Sequence, residues 1–171
     1  MKRYRHYTKK RAIVLSCFGS VIEQTKYNEL KALIEKTFED CDVFLSFSSR
    51  MVLKYLQKQN EDFKNLSQVL ADIDMMGYKH IVVSSINIFP TDEHEYLKKI
   101  VNGFNSFSLA QISYTNAIIT KTKDTTDFFC SLNKQVSVKV FMFKLEKAIL
   151  NNTSFLFFSK LLNVCLCFSV C

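Results

Sequence analysis

The sequence predicts an α/β protein built on a doubly wound parallel sheet. Short runs rich in β-branched and aromatic residues alternate with longer stretches whose apolar residues recur at helical spacing. Three glycines and one proline are too few for a loop-heavy or collagen-like architecture. Strands joined by helices run parallel, and the crossovers wind helices onto both faces of the sheet.

The first strand is Ala12 to Cys17, followed by a helix with Ile22, Tyr27, Leu30, Leu33, Ile34 and Phe38 on one face. Val43 to Phe47 reads as the second strand. Ser48 or Ser49 then caps a helix holding Met51, Val52, Tyr55 and Leu56. A third helix, Leu66 to Met76, buries Val69, Leu70 and Ile73 and stops at Gly77, the residue type best able to adopt a left-handed conformation. The third strand is Ile81 to Ile86. After Pro90, Thr91 caps a helix whose buried stripe is Leu97, Ile100, Val101 and Phe104. Ala117 to Thr120 and Val136 to Phe143 read as strands four and five, around a helix capped near Asp124 to Thr126. A helix from about Ala148 to Leu162 and a strand from Val164 to Val170 complete the pattern, and a strand with nothing after it suggests truncation.

With 171 residues, 48% of them hydrophobic and 23% charged, the chain can bury one full core and begin another. The net charge of +7 first suggests a polyanion partner. Most of it, however, sits in Lys2, Arg3, Arg5, Lys9, Lys10 and Arg11. The remainder is nearly balanced and lacks a basic face with interleaved aromatics, so nucleic acid is not expected as a partner. Ala12 to Cys17 is too short for a signal peptide and has no small-residue cleavage pattern. The apolar run Phe155 to Cys171 is interrupted by Lys160 and Asn163 and barely reaches a bilayer's thickness, so it reads as buried helix and strand and no membrane partner is expected. It could also support self-association, leaving a homo-oligomer open. The six cysteines form no C-x-x-C pair and read as reduced thiols of a cytoplasmic protein.

In a doubly wound sheet, ligands sit beyond the carboxyl ends of the strands. Ser16-Cys17-Phe18-Gly19-Ser20 places a glycine and two hydroxyls at a strand-to-helix turn, where free N–H groups suit a carboxylate or phosphate. The plainer reading is a tight turn with a serine cap. No G-x-G-x-x-G and no Walker lysine accompany it, which argues against a nucleotide. Ser48-Ser49-Arg50 resembles an anion clamp, since guanidinium offers a planar fork of donors; the alternative is an ordinary cap beside a solvated arginine. Asp92-Glu93-His94-Glu95 offers oxygen and imidazole ligands or an acid/base pair. Against that, acids in a first helical turn are favoured by the helix dipole, and neighbouring helical residues point about 100° apart. Nothing resembles a Ser-His-Asp or Cys-His catalytic arrangement.

Three segments taken in order resemble the anaerobic cobalt chelatases, the sirohydrochlorin cobaltochelatase family. They are Ile13-Val14-Leu15-Ser16-Cys17-Phe18-Gly19-Ser20, Phe47-Ser48-Ser49-Arg50-Met51 and Ile86-Asn87-Ile88-Phe89-Pro90-Thr91-Asp92-Glu93. The family shows S-F-G-T, F-T-S-x-M-I and L-H-I-I-x-G-x-E-Y at these places, and P-L-L-T/S where this chain has Ala117-Ile118-Ile119-Thr120. The resemblance implies two similar α/β domains facing a tetrapyrrole cleft, with Co²⁺ inserted during anaerobic cobalamin biosynthesis. It implies a lyase with no cofactor beyond the substrate metal. Glu93 would be the metal-site and catalytic carboxylate, with His94 a substitute imidazole ligand. Ser16, Phe18, Gly19, Ser20, Ser48, Ser49, Arg50 and Asn87 would bind the substrate.

On this alignment the chain divides into a basic tail (1–11), a chelatase-like domain (12–134) and the truncated start of a second domain (135–171). Asn87 and Thr91 stand where the family has a histidine and a glycine. Phe143-Lys144-Leu145 stands where the family has the histidine of an M-G-H-G turn, and a charged ammonium cannot ligate cobalt. Two readings therefore follow: a cobalt chelatase, or an inactive remnant or non-enzymatic module that binds a tetrapyrrole or metal.

Overall fold

The computed structural model describes residues 6–120, the side chain of Lys10 excepted. The elements expected beyond Thr120, the Lys144 position and the apolar run from Phe155 lie outside the described residues, as does Met1 to Arg5. In chain order the elements are β1 (Lys9–Cys17), α1 (Gln24–Thr37), β2 (Asp42–Phe47), α2 (Arg50–Lys58), α3 (Leu66–Met76), β3 (Tyr78–Ser85), α4 (Asp92–Phe107) and β4 (Gln111–Tyr114). The four strands form one parallel sheet in the order β2-β1-β3-β4. This is the expected doubly wound α/β fold.

Alternation along β1 divides the core. Ile13, Leu15 and Cys17 point to one face and pack with Ile34 of α1, Leu53 and Leu56 of α2, and Val43 and Phe47 of β2. Ala12 and Val14 point to the other and meet Leu66, Val69, Leu70 and Ile73 of α3, Leu97 and Val101 of α4, and Ile81, Val83 and Ile112. Covered on both faces, β1 is apolar from Ala12 to Leu15, as an interior parallel strand should be.

β1 and β3 begin at Lys9 and Tyr78, three residues before the first apolar residue that marked each in the sequence. Ladder bonds need no apolar side chain, and the polar ends of the strands find partners of their own. Lys9 pairs with Tyr78 in register, and its ammonium lies 4.8 Å from the centre of that ring. The Tyr78 hydroxyl donates to Asp42 at the start of β2.

α3 has the predicted bounds. Asn65 and Gln68 form a reciprocal capping box at its start, and Gly77 ends it at φ 79°. A side chain at Gly77 would also collide with the His6 carbonyl. In α2 the cap is Ser49, whose Oγ accepts from the Val52 N–H at 3.4 Å.

Three expectations are corrected. Ile22 precedes α1 and is 92% exposed, because the turn at Ser20 delays the helix to Gln24. Met51 and Tyr55 face outward, whereas Leu56 is buried and Val52 packs against the core as expected, and Leu53 is buried beside them. The fourth strand is Gln111–Tyr114, not Ala117 to Thr120. Strand β4 carries one fully buried apolar residue, Ile112, and so lacks the apolar run used to find strands. Ala117 and Ile119 are buried for another reason. The Ile118 and Ile119 N–H groups donate to the carbonyls of Asn87 and Ile88, at 3.0 and 2.7 Å, which pins the β3–α4 connection.

Candidate functional site at the carboxyl end of the sheet

From β1 the chain crosses to β2 on one side, and from β3 it crosses to β4 on the other. The connections after β1 and β3 therefore diverge and leave a crevice at their carboxyl ends, where open α/β sheets bind ligands. The crevice is bounded by residues 18–23, 48–51 and 86–93. Backbone bonds hold these segments together: Ser48 N–H to Cys17 carbonyl at 2.9 Å, Ser49 N–H to Phe18 carbonyl at 3.0 Å, and Ile86 N–H to Ser16 carbonyl at 3.0 Å.

Gly19 is at φ 98°, and a Cβ there would stand 3.1 Å from the Phe47 ring and 3.3 Å from Val52. Glycine is thus favoured by conformation, and a Cβ would make the neighbouring side chains give by a few tenths of an ångström. Phe47 is itself held by Phe63, stacked at 4.7 Å between ring centres, and by Tyr27 at 5.1 Å. The floor of the β1–α1 turn is therefore an ordered aromatic layer.

Ser20 and Ser49 both serve their own backbone. Ser20 Oγ accepts from the N–H groups of Ile22 and Glu23 at 3.3 Å, and Ser49 caps α2. The turn-and-cap geometry thus holds at both sites, and what they offer a ligand is chiefly helix N-terminal dipole. Arg50, the first residue of α2, is exposed and has no carboxylate partner among the described residues. Phe18 is 55% exposed, Ser48 and Asn87 are half-buried, and Ser16 is buried within β1. Glu93 is half-buried in the first turn of α4, together with Asp92 and Glu95.

His94 does not join Glu93 at the surface. Its side chain is 1% exposed and turned beneath α4, with Nδ1 3.0 Å from Ser85 Oγ. Burial holds its pKa below the ordinary imidazole value, the nearby Lys98 ammonium adds to that, and Glu95 partly opposes it. The expectation of His94 as a metal ligand is corrected: adjacent helical residues diverge, and this ring is committed to the core. Among the described residues no group of three or more His, Cys, Asp or Glu side chains could hold a metal ion.

Beside Phe18 and Ser16, which it named, the sequence reading missed four exposed apolar residues and two buried serines. Ile22, Met51, Ile88 and Phe89 are 92%, 83%, 45% and 56% exposed, and like Phe18 they lie on the loops and first helical turn that follow the carboxyl ends of β1, β2 and β3. They lie in turns and a first helical turn, and the core leaves them uncovered. Ser46, Ser16 and Ser85 stand in register across β2, β1 and β3 and are all buried. Each lies near the carboxyl end of an apolar run, a signal that was available in the sequence. A groove of about 340 Å³ elsewhere, lined by Phe44, Leu45, Lys64 and Asp72 among others, borders β2 away from these loops.

Residues 11–150 fit the family model described as Cobalt chelatase (CbiK). No curated protein matches the chain.

Proposed function

Because the chain belongs to the cobalt chelatase family, we propose that it inserts Co²⁺ into a sirohydrochlorin-type tetrapyrrole, as in anaerobic cobalamin biosynthesis. The observation that carries this reading is the character of the crevice rim. Exposed Phe18, Ile22, Met51, Ile88 and Phe89 offer apolar contact to a flat macrocycle, while Arg50 and the N-terminus of α2 offer cationic and dipolar partners to its peripheral carboxylates.

The reaction exchanges one divalent ion for two pyrrole protons, so the site must pass metal inward and protons outward. Glu93, the carboxylate that the family motif picks out from the acidic first turn of α4, can do both, as an oxygen ligand to the incoming ion and as a base toward a pyrrole N–H. Asn87 orients substrate from the β3–α4 connection. Gly19 and Ser20 keep the β1–α1 turn low enough for a planar ligand, with Ser16 supporting it from below and Ser48 and Ser49 shaping the facing turn. In this reading the metal is substrate, no further cofactor takes part, and the work is cytoplasmic, where a carboxylate-rich tetrapyrrole is soluble. No helix among the described residues is long and apolar enough to cross a membrane.

A second reading has its own support. The described residues assemble no metal cluster, and His94 is withdrawn from the surface, which suits a module that binds a tetrapyrrole without inserting metal. Anaerobic incubation with sirohydrochlorin and Co²⁺, followed by absorption against a no-protein control, separates the two. Acceleration supports the chelatase. Macrocycle binding at the uncatalysed insertion rate supports the module.

A further inference from the structure

Three elements meet at one buried polar cluster at the carboxyl end of β3. Ser85 is the last residue of β3, Thr115 follows β4, and His94 lies in the first turn of α4; they are 1%, 6% and 1% exposed. Ser85 N–H donates to Thr115 Oγ at 3.0 Å, Thr115 N–H donates to the Val83 carbonyl at 2.9 Å, and Ser85 Oγ is hydrogen-bonded to His94 Nδ1 at 3.0 Å. The same β3–α4 connection is gripped from beyond β4 by the Ile118 and Ile119 N–H groups. Buried polar groups are costly unless satisfied, so a cluster satisfied across three elements fixes their relative placement.

We infer that His94 is a positioning residue: through Ser85 it locks the start of α4 to the sheet and so fixes the β3–α4 connection and the Glu93 carboxylate at the crevice. An apolar side chain could fill the same space, but it could not take the Ser85 hydroxyl. A helix whose first turn carries Asp92, Glu93 and Glu95 together accumulates like charge. The His94 tie holds that turn down without adding a further charge at the rim. The importance of the Glu93 position rests on the proposed function; the mechanical tie does not.

Amide hydrogen exchange of the full chain tests the inference without reference to catalysis. His94→Leu should speed exchange about tenfold at Ser85, Thr115, Ile118 and Ile119, the order expected for one lost buried hydrogen bond, while the β1–β2 ladder keeps its wild-type rates. His94→Asn, which returns a polar atom near the Nδ1 position, should restore protection. Ser85→Ala should reproduce the leucine effect, and the double variant should add little to either change alone. If His94→Leu does not fold, Ser85→Ala and His94→Asn carry the comparison. Unchanged exchange at these four amides, a uniform rise that includes β1–β2, or no rescue by asparagine would overturn the inference. Cobalt insertion measured on the same proteins reports separately on the proposed function.

Discussion

Gly77, Gly19 and Gly103 make different demands on the chain. Gly77 combines φ 79° with a backbone carbonyl in the space a side chain would need, so Gly77→Ala is expected to cost about 3 kcal/mol in chemical denaturation. Gly19 has the same conformational demand, but its neighbours are side chains that can give slightly. Gly19→Ala should cost about 1–2 kcal/mol and disturb the turn at Ser20. Gly103 lies within α4 with nothing near its missing Cβ, and Gly103→Ala should stabilise by about 1 kcal/mol. The roles of Gly77, at the end of a complete helical period, and of Gly19, in a strand-to-helix turn, could be read from sequence, and that of Gly103 could not. The cysteines also separate at this scale. Burial pushes the Cys17 thiol up to about 12, so native protein at pH 8 should leave Cys17 unalkylated by iodoacetamide while denatured protein is labelled there, as peptide mapping would show.

Helix α4 shows how far apolar period carries a prediction and where it stops. Leu97 and Val101 lie on the expected buried stripe, with Ile100 and Phe104 packed at its edge. Thr91 occupies the cap position without a side-chain cap bond, and the acids of the first turn meet the dipole instead. His94 was legible as a residue but not as a buried one, since its partner Ser85 is fixed only when α4 lies against β3. Its depressed pKa gives a signed expectation. The unfolded chain takes up a proton near the ordinary value of about 6.5, and the folded chain only at lower pH. Stability therefore falls as pH drops through that window and levels off below the folded pKa. Denaturation of wild type and His94→Leu between pH 7 and 5 should show wild type losing the larger share. Strand β4 marks the opposite limit: with Ile112 as its one fully buried apolar residue, it is specified by pairing to β3, not by its own pattern.

At the scale of the molecule, alternating periods were enough to give the sheet class, and the order β2-β1-β3-β4 adds the place where its connections diverge. That divergence brings Phe18 to Ser20, Ser48 to Arg50 and Asn87 to Glu93 to one end of the sheet, three segments far apart in sequence. Their motifs were visible along the chain. The rim of Ile22, Met51, Ile88 and Phe89 was not, because two of these residues fitted a helical period well enough to be assigned to the core. The most direct measurement is anaerobic Co²⁺ insertion into sirohydrochlorin, followed by absorption, with wild-type protein and Glu93→Gln beside a no-protein control. A chelatase site built around Glu93 requires wild type to exceed the control and Glu93→Gln to lose about a hundredfold or more of that rate. Equal rates in wild type and control, or an undiminished rate in Glu93→Gln, would contradict it.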